Sequence, residues 1–458
     1  MEVIVAKLMI SISGIRGVVG DGLTPQMIVN FAQAFGTYLG GGKVVVGRDS
    51  RVTGPMVKHA VFSGLMAAGM DVIDIGICPT PTVQMAVKKL KALGGIAITA
   101  SHNPIEWNAL KLIGSSGMFL DEAQGKKVIA VVEKNGYRNV KWDQIGKPEI
   151  YEDAIQDHIK AILKLKLIDT DEIARRKFRV VVDCVNGAGG TLLPALLEEL
   201  GCEAIFMNEE PTGLFPRAPE PLPENITDLC ERVKKEKADV GFAVDPDVDR
   251  LAIVTEKGEP FGEEFTLVSA ANYVLSKKNG PIVVNASVSR AIDVIAAKFN
   301  SEVFRTKVGE IYVAKKMEKV KAAIGGEGNG GVILPELHLG RDAPLGIALT
   351  LQQLAVTRMK ASELRGSLPQ YFQGKNRIEI KNYDVASILK EIEKRYKNEQ
   401  LDKTDGLKIL WEESWVHIRP SNTEPIIRIY SEAKTKEEAE ALGYRFINEV
   451  EDIIKKNK

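Results

Sequence analysis

Apolar and polar positions switch between two periods along most of this chain. Short apolar runs at 43–46, 71–75 and 95–98 read as strands, and the segments between them carry the wider spacing of amphipathic helices. Thr24 followed by Pro25 is an N-cap with proline at the first helical position, and Gly40-Gly41-Gly42 stops the helix it opens. Helices are also predicted at 55–68, closed by Gly69, and at 82–93, and the apolar stretch 1–12 reads as a first strand. The rhythm restarts at strand 178–183, which leads through Asn186-Gly187-Ala188-Gly189-Gly190 into a helix ending near Leu200, and again at strand 281–284. Strands alternating with helices predict an α/β class with mixed sheets and helices on both faces. Three consecutive α/β domains are expected, at 1–150, 151–254 and 255–368, the last closing after a long helix at 345–359. From 369 to 458 the pattern changes to strands at 377–380, 415–419 and 426–430 with helices at 385–398 and 436–455. That is an α+β lid domain, and the charges of its last helix read as a solvated face.

A length of 458 residues is too long for one ordinary core, in keeping with several domains. Sixty-one basic and 61 acidic residues cancel, so bulk charge recruits neither nucleic acid nor membrane, and neither is expected as a partner. Cys78, Cys184, Cys202 and Cys230 form no Cys-x-x-Cys pair, which argues against disulfides and zinc and makes each a small apolar residue. No uncharged apolar run is long enough to span a bilayer, so a soluble, cytoplasmic protein is expected. A homo-oligomer is left open.

Three segments carry chemistry. In Thr99-Ala100-Ser101-His102-Asn103-Pro104 a serine stands between an apolar strand and an Asn-Pro turn; alone, it would read as a turn residue bonding its own backbone. In Asp245-Pro246-Asp247-Val248-Asp249-Arg250 three carboxylates recur at alternate positions, and in an extended chain all three project to one side. They would repel one another unless a cation lay between them, and hard oxygen ligands favour Mg²⁺ or Ca²⁺ over zinc. In Arg419-Pro420-Ser421-Asn422-Thr423-Glu424-Pro425, Arg419 can grip a phosphate with two parallel hydrogen bonds, Ser421, Asn422 and Thr423 offer further donors, and Arg428 adds charge. Together they suggest a serine that carries phosphate, a divalent metal that holds it, and a dock for a second phosphate.

These segments, with Ser13-Gly14-Ile15-Arg16-Gly17, Val46-Gly47-Arg48-Asp49-Ser50-Arg51 and Gly326-Glu327-Gly328-Asn329-Gly330, stand in an order that resembles the α-D-phosphohexomutase family over nearly the whole chain. The resemblance implies four domains, each sending one loop into a central cleft, and interconversion of hexose 6-phosphate and hexose 1-phosphate through a hexose 1,6-bisphosphate that also serves as activator. It implies that Ser101 becomes phosphoserine and joins Asp245, Asp247 and Asp249 in holding one Mg²⁺. Arg16 and His102 are then expected to stabilise the phosphate, and Lys111 and Arg250 to share acid-base work in an order left open. Glu327 and Asn329 would read the sugar, the glutamate accepting from two adjacent hydroxyls. Arg419, Ser421, Asn422, Thr423 and Arg428 would hold the phosphate that is not reacting.

The chain departs from the family's frequent pattern at Pro246 and Ala109, where glycine is common, and at Asn329 and Gly331, where serine and histidine are common. The Gly-x-Gly-Asn-Gly-Gly loop followed by Gly340-Arg341-Asp342 resembles the archaeal-type phosphoglucosamine mutase branch, placed ahead of phosphoglucomutase/phosphomannomutase. A metal-dependent sugar phosphatase using Ser101 and a non-catalytic sugar-phosphate sensor are the rival classes. Net release of inorganic phosphate would mark the first, and the second would tolerate loss of Ser101 with binding intact, having no turnover to lose.

Overall fold

The structure, a computed structural model, describes residues 8–11, 14–379, 384–421 and 426–456. It contains four sheets. The first runs in the order Leu8–Ser11, Gly14–Val19, Trp107–Gly114, Gly94–Ile98, Gly42–Arg48, Met70–Ile77, Pro148–Ile150, with Gly22–Leu23 beside Gly14–Val19. Its centre is parallel, and Trp107–Gly114 is antiparallel to both neighbours. The second and third sheets repeat one plan: three parallel strands and an antiparallel fourth. They run Glu203–Met207, Arg179–Asp183, Val240–Val244, Leu251–Thr255, and Val303–Thr306, Ile282–Asn285, Ile324–Glu327, Gly331–Ile333. The fourth sheet is wholly antiparallel and packs against the helices Val385–Arg395 and Lys436–Lys456. The α/β class with mixed sheets and a C-terminal α+β unit is therefore as the patterning predicts.

Local signals account for many element ends. Thr24 caps Pro25–Leu39 by accepting from the Met27 amide, and Gly40 closes that helix at φ 86°, a conformation glycine adopts without steric cost. The helix expected at 82–93 instead spans Thr80–Lys89, because Pro81 fits its first turn. In the segment 186–200 a single turn at Ala188–Thr191 precedes the helix Leu193–Glu199, and Gly190 lies against the Glu209 carbonyl with no room for a Cβ. The long helix begins at Ala343 rather than 345, capped by Asp342, whose side chain accepts from the Leu345 amide. It is largely apolar and buried on all sides from Ala343 to Ala355, which suits a central helix. Leu345, Ile347 and Leu351 join a continuous core shared by the second and third sheets. Of the final helix, Ala439, Phe446, Val450 and Ile453 are buried and the charges face outward. Cys78 and Cys184 are buried and Cys202 and Cys230 partly so, all as free thiols. No helix among the described residues is long and apolar enough to cross a membrane.

One topological rule places the chemistry. Four of the segments singled out in the sequence stand between strands that pair antiparallel: 99–106 in the first sheet, 245–250 in the second, 328–330 in the third and, in the fourth, the stretch that follows Pro420.

Candidate active site

A cleft of about 1270 Å³ is lined by Ser101, Arg16, Lys111, Arg250, Glu327 and Arg419, so side chains from the units of all four sheets meet in it. Ser101 is almost fully buried and has φ 50°, a left-handed conformation unusual for a residue with a side chain. Two contacts hold it there. Its amide donates to Thr99 Oγ1 at 2.9 Å, and its hydroxyl donates across the domain boundary to Asp245 Oδ2 at 2.8 Å. His102 Nδ1 lies 3.4 Å from the same hydroxyl.

Arg51, unassigned in the sequence reading, clamps this loop from beneath. Its Nη1 donates to the carbonyls of Pro104 (2.6 Å) and Trp107 (2.9 Å), and Nη2 to those of Ser101 (2.6 Å) and Asn103 (2.7 Å). Nε donates to Asp49 Oδ2 at 3.1 Å, so all five N–H groups of a fully buried guanidinium are used. Thr99 Oγ1 donates to the same carboxylate oxygen at 2.6 Å. The signal that could have found it is Asp49-x-Arg51 at the carboxyl end of a buried strand.

Asp245, Asp247 and Asp249 converge, but not in the way alternation suggests. The segment is a turn closed by the Val248 amide on the Asp245 carbonyl, with Val248 itself at φ 61°. Tight turning, rather than an extended backbone, brings carboxylate oxygens of all three within 4.8 Å of one another. Asp245 Oδ1 accepts the amides of Asp249 and Arg250. Asp247 Oδ2 accepts from Lys111 Nζ and from Thr80 Oγ1, both at 2.6 Å. Asp249 Oδ2 accepts from Arg341 Nη2 at 2.5 Å. Burial, compounded by the charges of Asp249 and Asp247, pushes the Asp245 carboxyl well above its ordinary range. Burial also works to raise Asp247, yet the Lys111 ammonium wins and holds it below the usual range. Asp247 Oδ1 and Asp249 Oδ1 are buried without a hydrogen-bond partner among the described residues. Two carboxylate oxygens without a hydrogen bond, beside a third carboxylate raised by burial and by its neighbours' charges, fit a hard divalent cation.

Strand register sets the surrounding cations. Gly14–Val19 pairs with Trp107–Gly114 so that Arg16 faces Ala109, which puts Arg16 and Lys111 on one side of the sheet. Ala109 sits in this strand with no left-handed backbone, so the family's glycine is not needed there. Arg16 Nη1 donates to Asn103 Oδ1 at 2.8 Å, and burial lowers its guanidinium to about 10. His102 is held well below its ordinary value by burial and by the guanidiniums of Arg250, Arg16 and Arg341. Arg250 Nη1 donates to Glu220 Oε1 at 2.6 Å.

Glu327 ends a buried strand, and most of its capacity is already used. Oε1 accepts from Asn285 Nδ2 (3.0 Å) and the Gly309 amide (2.9 Å), and Oε2 from Arg341 Nη1 (2.9 Å). Burial works to raise its carboxyl, but Arg341 and these donors hold it below the ordinary value. Of four acceptor positions one remains, so the expectation that it takes two sugar hydroxyls meets only one vacancy. Asn329, at the turn beside it, accepts the Gly331 amide and lines the cleft. In the fourth sheet Arg419 is buried, with Nη1 on the Pro420 carbonyl and Nε 3.8 Å from Asp405 Oδ2. Arg428 Nε reaches Ser421 Oγ at 3.5 Å. Asn422 and Thr423 lie outside the described residues.

The four segments of the chain match four family models in order. They are phosphoglucomutase/phosphomannomutase alpha/beta/alpha domain I at 8–139, domain II at 156–258, domain III at 262–372 and the C-terminal domain at 378–448. The chain belongs to the phosphoglucomutase/phosphomannomutase family. Among relatives of this family, a protein of Thermococcus kodakarensis named phosphoglucomutase/phosphomannomutase is 41% identical, over 95% of this chain and 97% of that one. A Methanopyrus kandleri protein named probable phosphoglucosamine mutase is 38% identical, over 97% of each. A solved phosphoglucomutase/phosphomannomutase family protein of Burkholderia thailandensis, 28% identical, superposes with a TM-score of 0.84 over 97% of this chain and 98% of that one. The α-D-phosphohexomutase resemblance and the archaeal branch read from the sequence are thereby borne out.

Proposed function

We propose that this phosphohexomutase interconverts glucosamine 6-phosphate and glucosamine 1-phosphate, with glucose and mannose phosphates as the second reading. The observation that carries the mutase reading is the Ser101 hydroxyl, hydrogen-bonded to an aspartate of the triad and facing a cleft that also holds Arg419. The 41%-identical relative, named for glucose and mannose, keeps the second reading open.

In this reading phospho-Ser101 gives its phosphate to the free hydroxyl of a hexose monophosphate. The bisphosphate turns over and returns its other phosphate to Ser101. Asp245, Asp247 and Asp249, joined by the serine's phosphate, would hold one Mg²⁺, which when bound supplies charge withdrawal from the transferring phosphoryl group. Arg16 stabilises the phosphate's charge, and His102 remains a hydrogen-bonding partner of the Ser101 oxygen until phosphate arrives. Lys111 is the better placed of the two proton-transfer candidates. Both lie beside the triad, but Arg250 is also engaged by Glu220 and arginine resists deprotonation more than lysine. Glu327 takes one sugar hydroxyl and Asn329 offers the next contact. Arg419, with Ser421, Asn422, Thr423 and Arg428, grips the remote phosphate, and that binding orients the reacting hydroxyl. The division at 150, 254 and 368 assigns one loop to each domain.

Initial rates on glucosamine, glucose and mannose phosphates, measured side by side, decide the sugar; a glucosamine rate below both others overturns the first choice. Replacing Asp247 by asparagine removes a unit of charge with little change of shape. Mg²⁺ titrated by calorimetry should then bind about tenfold or more weakly. Undiminished affinity would place the metal elsewhere. Arg419→Ala should weaken 1-phosphate and 6-phosphate substrates alike, by roughly one to two factors of ten for a charge-assisted contact. A loss confined to one phosphate position would show that this loop is not a common dock.

A further inference from the structure

Arg341 lies at the junction of the second and third sheets, and its buried guanidinium is divided among three carboxylates. Nη2 donates to Asp249 Oδ2 (2.5 Å), Nη1 to Glu327 Oε2 (2.9 Å) and Nε to Glu310 Oε2 (3.0 Å). The first belongs to the triad and the second is the sugar-facing glutamate. By occupying Oδ2 of Asp249 it leaves Oδ1 as the oxygen of that group with no hydrogen bond among the described residues, Arg250 Nε lying 3.8 Å away. By occupying one side of Glu327 it helps leave that carboxylate a single acceptor position. Both carboxylates are thus turned by one planar group, which transmits position as well as charge.

The backbone on either side of Arg341 spans the same gap. The Asp342 amide donates to the Val332 carbonyl of the sugar-loop hairpin, and the Ala343 amide to the Val248 carbonyl of the triad turn. Asp342 is itself fixed, its Oδ2 lying 2.8 Å from His158 Nε2 and 2.9 Å from His338 Nε2. Arg341 therefore starts from an anchored backbone and reaches its partners along one path.

That path exists because residue 331 is glycine. A Cβ on Gly331 would lie 2.3 Å from Arg341 Cδ and 2.8 Å from Cγ. These are stem atoms, which cannot step aside while the guanidinium stays in place. A larger residue at 331, such as the histidine frequent in the wider family, and the present course of Arg341 exclude one another.

We propose that Arg341 and Gly331 act as one unit: Arg341 is a positioning residue that fixes the sugar-reading Glu327 relative to the phosphoryl-transfer aspartates, and Gly331 is the vacancy it needs. The inference rests on the mutase reading for its catalytic consequence. It implies that this chain sets the distance between its two recognition events with a rigid side-chain strut, and that discrimination among sugar epimers depends on that strut.

The test uses the full-length protein with saturating Mg²⁺ and four variants: Arg341→Ala, Arg341→Lys, Gly331→Ala and the double Gly331→Ala/Arg341→Ala. Rates on the 6-phosphates of glucose, mannose and galactose are normalised to phosphoserine content. Arg341→Ala should lower kcat by about 10- to 100-fold, the scale of a misplaced reacting group, with a smaller change in KM. The ratio of kcat/KM between the best and worst epimer should shrink by about tenfold. Gly331→Ala should reproduce both effects, the double variant should be no worse than Arg341→Ala, and lysine should restore part of kcat without the discrimination.

Multiplicative losses in the double variant, or lower kcat with unchanged epimer ratios, would overturn the inference. A wild type that turned over no hexose phosphate would sink the activity reading instead. Midpoints of thermal unfolding still test the coupling in that case, because the double variant should melt no lower than the less stable single one, and additive losses would refute it.

Discussion

Replacing Ser101 with alanine or glycine should abolish turnover, by roughly 10³-fold or more, while sugar phosphates still bind. The hydroxyl is the atom that would carry phosphate, and its contact to Asp245 is one hydrogen bond among many in the loop. Glycine is the more telling variant. At φ 50° it adopts the native backbone without the steric cost a Cβ incurs, so the fold should persist even if alanine loosens it. Intact-mass analysis should find a phosphorylated fraction in the wild type and none in either variant. Near-normal mutase rates in Ser101→Gly would exclude a phosphoserine mechanism, and rapid release of inorganic phosphate by the wild type would favour a phosphatase.

Arg51→Met should be the most damaging single change to stability. Methionine fills much of the volume but leaves four loop carbonyls without their donor and the buried Asp49 without its counter-charge. Breaking one side of a buried ion pair costs about 3–5 kcal/mol, and the unpaired carbonyls add to it. Arg51→Lys should recover less than half, because an ammonium keeps the charge but cannot serve carbonyls at four positions. Denaturation midpoints and proteolytic nicking between 99 and 106 measure the effect. An Arg51→Met protein as stable as wild type would show that the serine loop is held by its other contacts.

The contrast between these two residues shows what the sequence could convey. Ser101 was legible because a strand, a hydroxyl and an Asn-Pro turn are adjacent in the chain. The capped helix at Pro25–Leu39 was legible for the same reason, its stop signals being local. Arg51 was not, since the four carbonyls it serves lie about fifty residues away and the nearby Asp49 alone does not mark which loop the pair would clamp. The aspartate triad falls between: its carboxylates are evident, but their convergence depends on a left-handed valine that alternation does not encode. Arg341 was visible only as part of a branch-specific string. Its importance came from Gly331, where the informative property is the absence of a side chain. Domain order survived translation into structure because a strand-helix rhythm is written within each segment, whereas the register between segments is not.

The neutralising charges around the triad come from other parts of the molecule. Asp247 is matched by Lys111 of the first sheet, and Asp249 by Arg341, which follows the third. Of its own the segment bearing the aspartates brings Arg250, whose Nε lies 3.8 Å from Asp249 Oδ1 and 4.0 Å from Asp245 Oδ2, too few positive charges for three carboxylates, so it is not electrostatically self-sufficient. A fragment comprising 156–258 alone would hold three carboxylates close together with two principal counter-charges removed. Chimeras between relatives should follow the same rule, a transplanted middle segment working only where its new neighbours present a lysine and an arginine at matching sites. In such a protein heredity is modular at the level of domains, but the charge balance is communal, and recombination within the family is constrained by pairs of residues that never share a segment.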